Sequence, residues 1–420
     1  MERDFQLSNI SDDGPVGWRG QPPPARGGRR GSEPMPPDDP TPFASADVLF
    51  TPLGDRAGQL GESIRAQRLE AIVLTSPESV YYTTGYPTLP SAGNPILYAL
   101  RNRLPPFAIV TAEGEISLGC WGFSVEGVAL SVDRVVPFSD LAGALRALCT
   151  AVGERVPGPL GRVGIESTCP HFTAEALRNQ VGPEKLVVAD RIVGDARLIK
   201  SPQEIECLAR SLAIVEQAVT GLYAELDLGV SRVALMEHAK RALLANGANG
   251  VGHVTFTFGT TNPEIALDEQ LQPDQLVVLD LGAVVDGYCS DNRRYAYAGE
   301  VPASLVEQHE AMVEIVDAVG EQLIPGTPYA EIQDLTRSLY REHGIPLLPR
   351  FTHAGHNIGL ETEEEWLVDN TESTIRCGMV INIELYSLTA TGQQIGDEET
   401  YVIEARPRRI SELPRAIRGV

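Results

Sequence analysis

Five side chains that could bind metal ions are spread over the second half of the chain, at Asp280, Asp291, His356, Glu384 and Glu398. Asp280 follows the apolar run 277–279, and Asp291 lies beyond a glycine-containing turn. If the two segments pair as strands, their carboxylates come close together. Adjacent carboxylates repel each other unless a cation or a proton lies between them. A divalent metal ion is the usual solution in proteins.

Three further patches supply possible donors. The segment HAGHNIGLETEEEW contains His353 and His356, and a neutral imidazole is a common metal ligand. Glu384 ends the apolar run GMVINIE, where a carboxylate is not expected to stay unpaired. Glu398 precedes the strand-like run YVI. Taken alone, each patch also fits a structural histidine, a strand end or a solvated acidic surface.

Taken together, the patches resemble the pita-bread metallohydrolases, the family of prolidase (Xaa-Pro dipeptidase), aminopeptidase P, methionine aminopeptidase and creatinase. The resemblance rests on the patterns Asp-x-Gly, Gly-Tyr-x-x-Asp-x-x-Arg, Gly-His-x-Ile-Gly-Leu, Ile-Glu and Glu-(Asp/Glu)-Thr, and it covers residues 46–406. It implies an α/β (α+β) fold, in which a creatinase-like N-terminal α/β domain precedes a pseudo-twofold pita-bread catalytic domain.

The resemblance also implies how the site works. Two divalent ions (Mn, Co, Fe or Zn) would be bound, and Asp280 would chelate one of them. Asp291 and Glu398 would bridge both ions, while His356 and Glu384 would complete the second. Such a centre cleaves a peptide or amide-like C–N bond through a hydroxide held by both metals, with Glu384 as the proton shuttle.

Three features depart from the peptidase pattern. The peptidases carry a histidine upstream of the first aspartate, which the segment 260–279 lacks, and a second one where this chain has Glu363. Arg293 stands where threonine is common. An ionised glutamate only accepts hydrogen bonds, and its charge opposes an oxyanion. Glu363 could instead pair with Arg293 or with a cationic substrate group. His253 and His353 are the histidines that could substitute, and a structural role for His253 is equally open.

Three functions therefore stay open. The first is a metal-dependent hydrolase of the prolidase or aminopeptidase P type, for which we predict slow or absent cleavage of simple Xaa-Pro dipeptides. The second is an enzyme of the same fold acting on a small non-peptide substrate, by creatinase-like C–N hydrolysis or by lyase chemistry. The third is a binding protein without catalysis, which the intact set of five ligands disfavours.

Composition narrows the partners. The 420 residues carry a net charge of −23, which argues against nucleic acid and anionic membranes as partners. The sequence has no apolar run of membrane-spanning length and no signal-like start, so we expect a soluble, cytoplasmic protein. Its six cysteines are scattered without a CxxC pair, which excludes a disulfide framework. We expect a small-molecule or short-peptide substrate, and the resemblance implies a homodimer.

Four segments are predicted along the chain. Residues 1–45 form a disordered Pro/Gly-rich tail, 46–196 the N-terminal domain, 197–410 the catalytic domain and 411–420 a C-terminal tail. The N-terminal domain should contain strands at 71–77, 161–167 and 186–193, a hairpin within 106–120 and a helix at 142–156. In the catalytic domain, a capping box at Ser201 and Glu204 starts a long helix. Further helices are predicted over 231–246, 302–323 and 328–343, as two helix pairs each followed by strands.

Overall fold

The computed structural model describes residues 56–91, 95–122, 125, 130–156, 161–263, 265, 267–348, 351–369 and 371–420. The tail predicted over residues 1–45 lies outside these ranges. Among the residues that the structure describes, no helix is both long and apolar enough to cross a bilayer.

The first half is built on a six-stranded sheet with the order β4-β3-β2-β1-β5-β6. Its strands are β1 (Ala71–Leu74), β2 (Phe107–Thr111), β3 (Ile116–Trp121), β4 (Arg134–Phe138), β5 (Val163–Ile165) and β6 (Leu186–Val188). As predicted, β2 and β3 form an antiparallel hairpin. The helices are α1 (Arg56–Ala66), α2 (Pro77–Thr84), α3 (Ile96–Ala99), α4 (Leu141–Arg155), α5 (His171–Val181) and α6 (Asp190–Leu198).

Two predictions in this half are wrong at their edges. The strand predicted over 71–77 ends at Leu74, and α2 begins at Pro77, where Ser76 caps it by accepting a hydrogen bond from the Ser79 amide. The strand predicted over 186–193 ends at Val188, and α6 begins at Asp190. In α6 the buried residues are Ile192, Val193, Arg197 and Leu198, a spacing that covers one face of a helix.

The second half contains two pairs of helices, each followed by strands, as the sequence predicts. The helices are α7 (Pro202–Leu222), α8 (Arg232–Ala245), α9 (Ala303–Glu321) and α10 (Tyr329–Glu342). The capping box of α7 is formed: Ser201 accepts from the Glu204 amide, and the Glu204 carboxylate accepts from the Ser201 amide. Ser231 caps α8 in the same position.

Two five-stranded sheets follow these helix pairs. The first has the order β16-β10-β8-β7 with β9 paired to β8, and the second has the order β12-β11-β13-β14-β15. The strands of the first sheet are β7 (Gly250–Phe258), β8 (Leu276–Val285), β9 (Tyr288–Cys289), β10 (Asn292–Tyr297) and β16 (Arg418–Gly419). Those of the second are β11 (Gly355–Asn357), β12 (Glu365–Trp366), β13 (Val380–Leu388), β14 (Gln394–Ile403) and β15 (Pro407–Arg409).

Three of the four acidic site residues lie within these strands rather than at their ends, whereas Asp291 lies between β9 and β10. The sequence interpretation took Asp280 and Glu384 as strand ends and placed Glu398 before a strand. Instead, Asp280 lies in the middle of β8, Glu384 in the middle of β13 and Glu398 within β14. In the sequence, a carboxylate after an apolar run looks like the end of a strand. Here neighbouring charged side chains offset the cost of burying each carboxylate, so the strand continues past it.

Candidate metal centre

A two-residue hairpin turn sets the register of the first acidic strand. Asp286 and Gly287 both have positive φ angles, 50° and 86°, as a type I′ turn requires. The strands leaving this turn place Arg293 of β10 directly opposite Asp280 of β8. Directly opposed residues of an antiparallel pair project from the same face, so the two side chains meet.

Arg293 lies inside the acidic cluster. Its Nη2 donates to Asp280 Oδ2 and to Glu384 Oε1, both at 2.6 Å, and its Nε is 3.9 Å from Glu398 Oε2. Only 6% of the residue is exposed. The pairing of Arg293 with Glu363 that the sequence suggested is therefore wrong, because the guanidinium is taken up by the cluster. The Asp286-Gly287 turn is the sequence signal that could have located Arg293.

His253 is a further member of the cluster, contributed by the neighbouring strand β7. Its Nε2 lies 2.9 Å from Asp280 Oδ1 and 3.1 Å from Asp291 Oδ1. Gly282 makes this approach possible, since a Cβ there would lie 2.5 Å from His253 Nδ1. Burial by itself would lower the pKa of His253, but the charges of Asp291 and Asp280 outweigh it and raise that pKa well above the ordinary value.

The second sheet contributes two opposed glutamates. Glu384 of β13 and Glu398 of β14 are direct cross-strand partners, an arrangement that like charges destabilise. Asn382 supports the pair by donating from Nδ2 to Glu398 Oε1 at 2.5 Å, and Thr400 in turn donates to Asn382 Oδ1 at 3.0 Å. These bonds fix the direction of the Glu398 carboxylate.

His356 enters from β11, which pairs with β13. The preceding Gly355 allows this close pairing, since its φ is 154° and a Cβ there would lie 2.1 Å from the Asn382 carbonyl oxygen. His356 is fully buried, and its Nε2 lies 3.6 Å from Asp291 Oδ2 and 3.9 Å from Glu384 Oε2. These distances exceed hydrogen-bonding range.

Three buried atoms of the cluster residues His356 and Glu398 lack a hydrogen-bond partner among the residues that the structure describes. They are both ring nitrogens of His356 and the Oε2 atom of Glu398. A buried polar atom without a partner costs about 1–3 kcal/mol. A metal ion bound by one ring nitrogen of His356 and by a carboxylate oxygen would remove that cost for those atoms, and the mixture of carboxylate and imidazole suits Mn, Co, Fe or Zn. The imidazole and carboxylate donors around His356 therefore fit a divalent ion.

The pKa values of the two glutamates are shifted in opposite directions. Burial and the neighbouring Asp291 carboxylate raise the pKa of Glu398 well above its ordinary value. Burial alone would do the same to Glu384, but the Arg293 charge outweighs it and lowers its pKa. Glu384 thus has a cation beside it already, whereas the ionised form of Glu398 needs one.

The structure also shows two groups of donors whose atoms lie within 4.8 Å of one another. One consists of His253, Asp280 and Asp291, and the other of Asp280, Glu384 and Glu398. Together they bring four of the five predicted ligands into close range. The fifth, His356, joins through its distances to Asp291 and Glu384.

The two other predicted site residues lie at the margin. His353 stacks on Trp366 with a centroid distance of 5.1 Å, and its ring centroid is 6.5 Å from that of His356. Burial lowers the pKa of His353, which favours the neutral imidazole. Glu363 is exposed and accepts a hydrogen bond from Trp366 Nε1 at 2.6 Å. Neither residue is hydrogen-bonded to a carboxylate of the cluster in the interactions that the structure describes.

A polar cavity of about 420 Å³ opens against the cluster. Asp280, Arg293 and Glu384 form its wall on the cluster side. The remaining wall is rich in hydroxyl and amide groups, from Thr255, Thr257, Thr260, Thr261, Asn262, Tyr386 and Gln394. The cavity has room for a small substrate and many groups that can hydrogen-bond to it.

Comparison with known proteins accounts for both halves of the chain. The model of metallopeptidase family M24 matches residues 206–405, and that of the creatinase/prolidase N-terminal domain matches residues 56–199. The chain belongs to the pita-bread metallopeptidase superfamily. The predicted fold class is thereby confirmed, and the protein is an enzyme of this superfamily with its reaction left open.

Individual relatives are distant but extend over most of the chain. The Xaa-Pro dipeptidase of Pyrococcus horikoshii is 25% identical over 338 residues, which are 79% of this chain and 89% of that protein. The solved structure of an Xaa-Pro dipeptidase from Bacillus anthracis has a TM-score of 0.75 at 20% identity, with 87% and 99% of the two chains covered. The N-terminal domain of FACT complex subunit SPT16 from Cicer arietinum reaches a TM-score of 0.64 at 16% identity, with 86% and 96% covered. These structural likenesses show the shared fold alone.

Proposed function

We propose that the protein is a metal-dependent hydrolase that cleaves a peptide or amide-like C–N bond in a small substrate. The observation that supports this most directly is the buried His356 ring beside Asp291 and Glu384, which has no hydrogen-bond partner among the described residues. Imidazole and carboxylate donors at this spacing suit a divalent ion. The similarity to the Xaa-Pro dipeptidase of Pyrococcus horikoshii supports the same class of reaction.

Each group of the cluster has a task in this proposal. His356, Asp291, Glu384 and Glu398 would hold the ion, which supplies a Lewis acid and activates water when bound. Arg293 donates to Glu384 Oε1, which leaves Oε2 directed toward His356, at 3.9 Å from its Nε2. Glu384 Oε2 is therefore the atom that would take a proton from the attacking water.

The substrate would bind in the 420 Å³ cavity beside Arg293. The guanidinium is permanently charged and can only donate hydrogen bonds, so it favours an oxygen-rich or anionic group of the substrate. Hydroxyl groups of the cavity wall would orient the rest of the molecule. Arg293 would then donate a hydrogen bond to the oxygen of the scissile group.

A second candidate is an enzyme of the same fold acting on a small non-peptide substrate. The presence of Arg293 in the cluster favours it, because that cation occupies space next to Asp280 and Glu384 that a peptide group could otherwise reach. Glu363 on the exposed margin also provides no hydrogen-bond donor for a peptide carbonyl. We therefore keep the prediction that simple Xaa-Pro dipeptides are cleaved slowly or not at all.

The test uses the full chain stripped of metal with a chelator and then supplied with Mn²⁺ or Co²⁺. A panel of Xaa-Pro dipeptides, longer Xaa-Pro peptides and small non-peptide amides is assayed for release of the amine. We expect metal-dependent turnover of at least one C–N substrate. A protein that binds metal but hydrolyses no member of the panel would contradict the proposal.

The matched control exchanges one carboxylate inside the cluster and one outside it. Asp291→Ala should lower both metal content and turnover by at least about a hundred-fold, because a ligand is removed. Asp334→Ala removes a carboxylate that is 79% exposed and should leave both unchanged. Unchanged metal content in Asp291→Ala would show that the ligand assignment is wrong.

A further inference from the structure

Both carboxylate oxygens of Asp280 are already bound by protein groups. Oδ1 lies 2.9 Å from His253 Nε2, and Oδ2 accepts from Arg293 Nη2 at 2.6 Å and Nε at 3.2 Å. In the two-ion arrangement that the family resemblance implies, Asp280 is the ligand that belongs to the first ion alone. Here His253 and Arg293 occupy the positions around Asp280 where that first ion would bind, and little of the binding capacity of the Asp280 carboxylate is left for a metal.

The opposite side of the cluster shows the reverse. Among the described residues, neither ring nitrogen of the fully buried His356 has a hydrogen-bond partner, and Glu398 Oε2 has only the Arg293 Nε atom near it, at 3.9 Å. The gaps of 3.6 Å and 3.9 Å from His356 Nε2 to Asp291 and Glu384 are close to twice a typical metal–ligand distance of about 2.0–2.2 Å. One ion could bind His356 Nε2 together with the Asp291 and Glu384 oxygens that face it.

The pairing register of β8 and β10, and not only the side-chain rotamer, places Arg293 in the acidic cluster. It lies directly opposite Asp280 across the hairpin, and the Asp286-Gly287 turn fixes that register. It also spans the two sheets, since it bonds Asp280 on the first and Glu384 on the second. A guanidinium in this position carries a fixed positive charge among the carboxylates that would otherwise hold a metal.

We infer that Arg293 replaces one of the two metal ions of the superfamily's centre, so that the protein binds a single exchangeable divalent ion on the His356 side. This inference rests on the proposed metal-dependent function. The centre then contains one cation that a chelator removes and one that belongs to the chain. It carries one positive charge less than a centre with two divalent ions, and one of its cations can donate hydrogen bonds to substrate.

The experiment measures the number of ions bound per chain, independently of activity. The chelator-treated full chain is dialysed to equilibrium against Mn²⁺ and its content is determined by elemental analysis. We expect about one ion per chain in the natural protein. Arg293→Thr, which opens Asp280 Oδ2 and Glu384 Oε1, should raise the value to about two, whereas Arg293→Lys keeps a cation there and should stay at one.

Two more variants locate the single ion. His356→Ala should lose it, whereas Asp280→Asn should still bind one ion, with an affinity changed less than about ten-fold. Loss of the ion in Asp280→Asn would overturn the inference. If Arg293→Thr fails to fold, which circular dichroism would reveal, the counts for the natural protein, Arg293→Lys and Asp280→Asn still decide the question.

The possible counts separate this inference from the proposed function. Two ions in the natural protein would overturn the inference and leave the hydrolase proposal standing. One ion without hydrolysis of any C–N substrate would support the inference and contradict the hydrolase proposal. No ion in either the natural protein or Arg293→Thr would overturn both.

Discussion

Arg293 and Arg294 are neighbours on β10 and both are almost completely buried, yet they meet very different surroundings on opposite faces of the strand. Arg294 donates to Glu399 at 2.8 Å, and Glu399 also lies 3.4 Å from Arg415. Arg415 in turn bonds Asp397 at 2.6 Å. On this face, arginines and carboxylates occur in similar numbers and bind one another.

On the Arg293 face, the Arg293 guanidinium and the His253 imidazole stand among four carboxylates, those of Asp280, Asp291, Glu384 and Glu398. Burying unbalanced charge is costly, so a cluster that exists only for stability is expected to match its charges. The excess of carboxylates and the unpartnered atoms of His356 and Glu398 are instead what a cation-binding site requires. Charge balance thus distinguishes a structural ion network from a site on the same strand.

The sharpest test of this comparison exchanges two adjacent glutamates of β14. Glu398→Gln should lower metal affinity by at least about a hundred-fold, because it removes a ligand from the Arg293 face. Glu399→Gln should leave the metal content unchanged but lower the free energy of unfolding by about 3–5 kcal/mol, because it leaves a buried arginine without its charge partner. Elemental analysis and urea denaturation measure the two effects. Loss of metal in both variants would contradict the division between faces.

A second balanced network lies at Glu364 and allows a prediction of pH dependence. Glu364 accepts from Lys200 at 2.7 Å and from Arg197 at 2.8 Å. All three side chains are at most 10% exposed. Glu364→Gln should lower the free energy of unfolding by about 3 kcal/mol at pH 7, because it leaves the buried Lys200 unpaired. Glu361→Gln removes an Arg197 partner that is 49% exposed and should cost less than about 1 kcal/mol.

The sign of the pH effect follows from the direction of the pKa shift. Burial by itself would raise the pKa of Glu364, but Lys200 and Arg197 outweigh it and hold that pKa below its ordinary value. Its stabilising contribution is complete above the unfolded-state pKa and is lost as the pH falls through the lower folded-state pKa. Denaturation at several pH values should show the Glu364→Gln effect shrinking below about pH 4. An effect that grows toward low pH would refute this assignment.

The smallest effect is expected at Glu363, which was predicted as a site residue. Glu363→Ala removes an exposed hydrogen-bond partner of Trp366 and should change the free energy of unfolding by less than about 0.5 kcal/mol. The metal content should not change, because Glu363 lies outside the donor groups. A substantial fall in turnover with unchanged metal content would show that Glu363 acts on the substrate.

The sequence was informative wherever the signal is local. The Ser201-Glu204 capping box, the helix starts near Ser231 and Pro302, and the β2–β3 hairpin depend on neighbouring residues, and the structure contains all of them. The five proposed ligands were found through patterns that also mark their strands. The predicted strand ends were wrong because polarity alone does not distinguish two cases. A carboxylate whose buried charge is paired within a strand looks the same in the sequence as a carboxylate at the end of a strand.

The contacts that define the cluster depend on register and on distant strands. His253 reaches Asp280 only because β7 pairs with β8 across an irregular register near Val251. Arg293 could have been placed from the Asp286-Gly287 turn, but its bond to Glu384 also depends on the second sheet. No local pattern reports such a contact between sheets, which explains why Arg293 looked like a departure from the family rather than part of the centre.

The short turn at Asp286 and Gly287 also bears on the order in which the acidic cluster assembles. Asp280 and Arg293 meet within a single hairpin, and a loop this short closes much faster than the pairing of segments far apart in the chain. Glu384 and Glu398 lie about a hundred residues further along. We expect the first carboxylate to be neutralised by its own hairpin before the other two arrive, so that folding need not wait for a metal ion.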